Sequence, residues 1–166
     1  MNNNLVDSII GICKILNKHT VQYLLVGGSA VALHGHFRMS MQADGKLADK
    51  YDIDIWYNPT YDNYFKLLDA LEELGHDVTE FKSETAPNPK KSFFKFNLEH
   101  FTLDFLPQLK GLSNFGLSFE NREIVNVNDI DILFIGYQDL IKDKETTARP
   151  KDLEDIEQLK KKNRLW

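Results

Sequence analysis

Between Tyr23 and Ile55 the chain carries its strongest constraint on fold. An apolar run, Tyr23-Leu24-Leu25-Val26, meets Gly27-Gly28-Ser29, then an apolar helix-like segment from Ala30 to Leu33, and finally Asp52-Ile53-Asp54. A strand that turns through two glycines into a helix leaves backbone N–H groups where a phosphate can sit. Side chains two apart on a strand point the same way, about 7 Å apart. Asp52 and Asp54 on one face therefore repel each other unless a cation lies between them, and hard oxygen ligands suit Mg²⁺ or Mn²⁺. A phosphate cradle beside paired carboxylates is the equipment of phosphoryl or nucleotidyl transfer.

A strand beside Asp52 would bring any further aspartate on the same face up to this pair. Asp104 is the candidate, in the run Phe101-Thr102-Leu103-Asp104-Phe105-Leu106-Pro107. A lone aspartate in an apolar strand is costly if buried without a partner, a cost that a shared metal offsets. The alternative is an outward-facing Asp on an exposed strand face. Asp129-Ile130-Asp131 has the same Asp-x-Asp form but no upstream glycine turn, and it follows Asn126-Val127-Asn128. It reads as a polar turn before a short strand. Ser29 suits either a phosphate contact or a helix cap. His34 and His36 flank Gly35, and a helix-end role suits them better than zinc ligation. Lys160 to Lys162 reads as a solvated helix end.

At these residues the chain resembles the nucleotidyltransferase superfamily, with the fold of the polymerase β catalytic core. Within it the pattern is similar to the small bacterial AbiEii-type enzymes: Gly27-Gly28-Ser29-Ala30, His34-Gly35, Arg38-Met39-Ser40 and Asp52-Ile53-Asp54. About ten extra residues, Met41 to Lys50, separate Ser40 from the aspartates and are expected to loop out at the mouth of the site. A second match lies near the C-terminus, in Lys142, Thr146 and the string Arg149-Pro150-Lys151-Asp152-Leu153-Glu154-Asp155-Ile156. The resemblance spans roughly Val21 to Leu159. It implies catalytic and metal-holding roles for Asp52, Asp54 and Asp104. It also implies nucleotide contacts from Gly27, Gly28, Ser29, Arg38, Lys142, Arg149 and Lys151. The implied reaction moves a nucleoside monophosphate from an NTP to a hydroxyl acceptor: tRNA or another RNA, a protein, or a small molecule such as an aminoglycoside or lincosamide. A toxin-like role with an antitoxin partner belongs to the same resemblance. The competing class is a catalytically inactive nucleotide-binding or scaffold protein on the same fold.

Composition fits one cytoplasmic domain over residues 1–166. Hydrophobic residues make up 42% and charged residues 27%, ordinary for a globular protein. No run approaches the ~20 apolar residues of a membrane span. The 20 basic and 25 acidic residues give a net charge of −5, which argues against a general nucleic-acid coat but permits a local basic groove. The single cysteine, Cys13, falls on the apolar side of the first helix and reads as a buried small hydrophobe.

The expected fold is mixed α/β: five to six strands with helices mainly on one face. Leu5, Ile9, Ile12, Cys13 and Leu16 repeat at helical spacing. Strands are expected at 21–26 and 51–57, then a helix capped by Thr60 and stopped by Gly75. An edge strand is expected at 76–82 and a loop at 83–91. Two strands should meet across a reversal at Glu99-His100, followed by short strands at 124–127 and 132–135. Two helices close the chain.

Overall fold

The structure is a computed structural model, and it describes residues 3–36 and 50–163. Arg38, Ser40 and nearly all of the expected Met41–Lys50 loop lie outside the described residues. The elements run α1 (Asn3–Lys18), β1 (Tyr23–Val26), α2 (Gly27–Leu33), β2 (Tyr51–Tyr57), α3 (Tyr61–Glu73) and α4 (Thr79–Lys82). A 3₁₀ turn at Pro89–Lys91 leads to β3 (Phe94–Asn97), β4 (Phe101–Leu106), α5 (Phe115–Glu120), β5 (Glu123–Val127), β6 (Ile130–Phe134), α6 (Tyr137–Thr147) and α7 (Pro150–Asn163).

The six strands form one mixed sheet in the order β3-β4-β2-β1-β6-β5. β1 is antiparallel to β2, β2 parallel to β4, and β1 parallel to β6. Two hairpins, β3-β4 and β5-β6, close the edges. The expected mixed sheet is present, but its helices divide between the two faces. Tyr23 and Leu25 of β1 pack with Ile53, Ile55, Leu103 and Phe105 beneath α1 and α3. The alternate residues Leu24 and Val26 pack with Trp56 beneath α2, α5, α6 and α7. The cause is visible in the strands. β1 is apolar at all four positions and fully buried, and a strand buried on both faces needs cover on both.

Local signals explain several boundaries. The Thr60 side chain accepts from the N–H of Asn63, capping α3, and Tyr64, Leu67, Leu68 and Leu71 are its buried stripe. Gly75 ends that helix at φ +98°, a left-handed conformation that glycine takes without steric cost. Cys13 is fully buried, and burial pushes its thiol up to about 12. At 76–82 the expected edge strand is absent, and α4 takes its place. Asp77 Oδ1 accepts from the N–H (3.0 Å) and the hydroxyl (2.6 Å) of Thr79. This local side-chain turn starts a helix where alternation suggested a strand.

Among the described residues no helix is long and apolar enough to cross a membrane.

Candidate active site

β2 and β4 lie side by side and in register, with Asp54 opposite Asp104 and Asp52 opposite Thr102. Ile53, Ile55, Leu103 and Phe105 point into the α1/α3 core, so by strand alternation Asp52, Asp54 and Asp104 share the other face. The Thr102 hydroxyl donates to Asp52 Oδ1. Across the sheet Asp54 is opposite Val26, the last residue of β1, and Gly27 follows at φ +63°. A Cβ on Gly27 would lie 2.6 Å from Asp54 Oδ2. Glycine is needed here twice: for its left-handed backbone and because the carboxylate occupies the space of a side chain. Val26, the residue before α2, offers no side-chain cap, so among the described residues the first N–H groups of α2 stand beside Asp54 without a side-chain acceptor. Ser29 is buried, at 3% exposure.

Asp54 and Asp104 open onto a cleft of about 430 Å³ that Gly27 lines beside them, while Asp143, Lys144, Thr147 and Arg149 line it from α6 and the turn into α7. Burial, then repulsion from Asp104 and Asp52, pushes Asp54 up to about 7, against a pull from Lys151 and Lys144. Asp104 is also raised, by burial first and opposed by Lys95. Among the described residues its Oδ1 is buried with no hydrogen-bond partner. Uncompensated carboxylate charge and an orphaned oxygen are what a hard divalent cation would satisfy, so the donor set fits such an ion. Among the described residues, however, no three acidic, histidine or cysteine side chains already stand together as a finished metal cage. A bound ion would have to draw the carboxylates inward.

The basic wall is built around Asp152 and Asp155, which sit fully buried on the inner face of α7. Lys144 Nζ donates to Asp152 at 3.2 Å and pairs with Asp155 at 3.0 Å. Asp152 also accepts from Thr147 Oγ1 (2.7 Å), from the Arg149 N–H (3.0 Å) and from Arg149 Nε (2.7 Å). This ring of donors holds Asp152 well below the usual carboxylate range against the opposing cost of burial. A close approach fixes α6 against the loop after β4: a Cβ on Gly111 would meet Asp143 Cα at 2.6 Å, and the Gly111 N–H donates to Asp143 Oδ1.

Of the residues singled out from sequence, the structure brings together Gly27, Asp54, Asp104 and Arg149 in the cleft. Asp52 lies one pleat away on the same face, and Lys151 is close enough to act electrostatically on Asp54. Lys142 is exposed and outside the cleft lining, whereas Lys144 is buried and within it. The signal for Lys144 was in α7: Asp152 and Asp155 share the spacing of Ile156 and Leu159, and acids on an apolar stripe require a buried cation. Asp129 and Asp131 are exposed at the β5-β6 hairpin, with Asn128 and Asp129 at positive φ. His34 Nε2 lies 2.8 Å from the Ile135 carbonyl and His36 Nε2 lies 3.8 Å from Asp155, so the two rings serve separate packing contacts.

No protein-family model matches the chain, and no curated protein matches it in sequence. Solved structures do match in fold. An antigenic nucleotidyltransferase-like protein from Paracoccidioides brasiliensis superposes with a TM-score of 0.53 at 13% identity, over 92% of this chain and 73% of that one. The lincosamide antibiotic adenylyltransferase LnuA, bound to lincomycin, superposes with a TM-score of 0.53 at 19% identity, over 96% and 97% of the two chains. The protein therefore has a nucleotidyltransferase-like fold.

Proposed function

We propose that this chain is a metal-dependent nucleotidyltransferase that moves a nucleoside monophosphate from an NTP to a hydroxyl acceptor. The observation that carries the reading is the pairing of Asp54 with Asp104 directly beside Gly27, in a cleft that Lys144 and Arg149 also line. Asp52 and Asp54 would hold Mg²⁺ or Mn²⁺, with Asp104 as the third ligand on the acceptor side. When bound, the ion supplies charge neutralisation at the phosphates and a lower pKa for the attacking hydroxyl.

The chain's own groups supply positioning. Backbone N–H groups of Gly28 and Ser29 meet the β- and γ-phosphates, and Arg149, Lys151 and Lys144 offset charge as pyrophosphate departs. Lys144, which lines the cleft, would take the charge-neutralising role that the resemblance implies for Lys142. The acceptor oxygen forms a bond to the α-phosphorus while the bond to the bridging oxygen breaks. Pyrophosphate leaves with that electron pair, and the hydroxyl proton moves toward an Asp104 oxygen. The fold likeness to LnuA, an adenylyltransferase, supports the reading at the level of fold.

The test is transfer of label from α-³²P NTPs into pools of RNA, protein and small molecules, beside calorimetric NTP binding with Mg²⁺. Wild type should bind and label, and Asp54→Ala should label nothing. Binding without labelling of any pool would favour the inactive nucleotide-binding scaffold instead.

A further inference from the structure

One pleat repeat beyond the carboxylates the same sheet face carries Trp56 on β2 and Leu106 on β4, and there a second cavity opens. It is about 380 Å³ and is bounded by Trp56, Pro107, Leu112 and Phe115 with Lys90 and Lys110. That volume lies within the ~300–1,000 Å³ range of small-molecule sites. Gln108, Leu109 and Lys110 line both this cavity and the carboxylate cleft, so the two spaces adjoin. The donor groups Gly27, Lys144 and Arg149 line only the cleft.

The cavity's charge is the informative property. The chain carries a net charge of −5, yet among the described residues no carboxylate lines this space. Among the described residues Lys90 and Lys110, both exposed, have no ion-pair partner and so are open to a ligand. The Gln108 side chain donates to the Lys90 carbonyl at 3.2 Å, tying the 3₁₀ turn to the rim. Phe93, 48% exposed, lines the adjoining cleft beside Leu106. Trp56, Leu112 and Phe115 in the lining, with two uncommitted cations, match a ligand with an apolar or planar body and an anionic group.

We propose that this cavity is the acceptor subsite and that it selects a small phosphate-bearing acceptor with an apolar or planar ring, in preference to a polycation. The proposal rests on the nucleotidyl-transfer reading of the neighbouring cleft. A small acceptor is favoured over a polynucleotide because the cavity is compact and the surrounding chain is acidic, which opposes a long polyanion.

The donor cleft is first filled with α,β-methylene-ATP and Mg²⁺. Uridine 5′-monophosphate and 4-nitrophenyl phosphate are then titrated by calorimetry, with uridine and kanamycin as uncharged and cationic comparisons. Both phosphates should bind, uridine should bind about tenfold more weakly or worse, and kanamycin should not compete. Lys90→Ala should weaken uridine 5′-monophosphate about tenfold, the order of one lost charge-assisted contact, and Lys90→Glu should weaken it further. Affinity for α,β-methylene-ATP should stay within about twofold of wild type in both variants, because Lys90 lies outside the donor cleft. Phosphates that bind no better than uridine, competition by kanamycin, or equal loss of both ligands in Lys90→Ala would each overturn the proposal. So would tRNA binding that depends on Lys90 while uridine 5′-monophosphate fails to bind. The same titration without the ATP analogue separates the two readings. Phosphate binding at Lys90 with no NTP binding would remove the transferase reading. Normal NTP binding with no phosphate preference would remove only the acceptor subsite.

Discussion

Asp54 and Gly27 occupy complementary space, and each constrains what the other can be. Gly27→Ala would carry a side chain at φ +63°, which costs about 1–2 kcal/mol, and would push Asp54 Oδ2 from its place. The expected outcome is a loss of transfer larger than the loss of stability, read by activity beside thermal melting. Asp54 itself makes the metal-free protein pH-sensitive, with a defined sign. Its folded-state carboxyl is raised from 3.8 to about 7, so the folded chain keeps a proton that the unfolded chain releases. Its contribution is present in full below the unfolded value and is lost as pH rises through the folded one. In the presence of a chelator, Asp54→Asn should leave the melting temperature unchanged near pH 4 and raise it above pH 7. The gain should be about 2–4 °C for each kcal/mol of strain relieved. An equal gain at both pH values would mean that burial of charge is not the cause.

At the level of elements, α6 and α7 form a pair whose interior is ionic, with Lys144 between Asp152 and Asp155. Removing one partner of a buried ion pair costs about 3–5 kcal/mol, because the remaining charge stays buried alone. Lys144→Ala should therefore lower stability by that order in denaturant melts and also loosen Arg149. Asp152→Asn should also destabilise the fold, because with its oxygen kept toward Thr147 and the Arg149 N–H the amide nitrogen would face the Lys144 and Arg149 donors. Much of the element plan was legible in sequence. β2 matches its expected bounds at Tyr51–Tyr57, Thr60 caps α3, and Gly75 ends it. These features depend on nearby residues, which is why periodicity and capping rules reach them. α4 and α5 were not anticipated, since helices of four and six residues present too short a period to read. The common face of Asp52, Asp54 and Asp104 was legible only as an expectation. Alternation places residues on faces, but the register of β2 against β4 is a long-range property. The burial of Lys144 was not legible in sequence, because it depends on how α7, which carries Asp152 and Asp155, packs against α6.

Across the whole molecule, the two sheet faces divide the work. The α1/α3 face is an apolar core throughout, while the opposite face interrupts its apolar packing with carboxylates, an ionic helix pair and two adjoining cavities. Concentrated repulsion on one face means that a bound cation should stabilise the entire fold by mass action, by about 2.7 kcal/mol at a hundred times its Kd. Asp54→Asn should abolish that response to Mg²⁺ or Mn²⁺. The same division separates binding from chemistry. On the proposed reading the triphosphate contacts would come from α2 and from the α6/α7 wall, so they should survive loss of a β2 ligand better than transfer does. Asp52→Ala should lower transfer by at least ~10²-fold, the order seen when one preorganised charge-stabilising group is removed, while NTP affinity falls less. Lys142→Ala, on the exposed side of α6, should change NTP affinity far less than Lys144→Ala. Asp129→Ala, at the tip of the remote β5-β6 hairpin, should leave both quantities at wild-type values. Calorimetric NTP binding and α-³²P transfer, run on the same preparations, give both quantities. If Asp129→Ala removes transfer while Asp52→Ala spares it, the catalytic face has been assigned to the wrong Asp-x-Asp, and the cleft beside Gly27 is not where the reaction occurs.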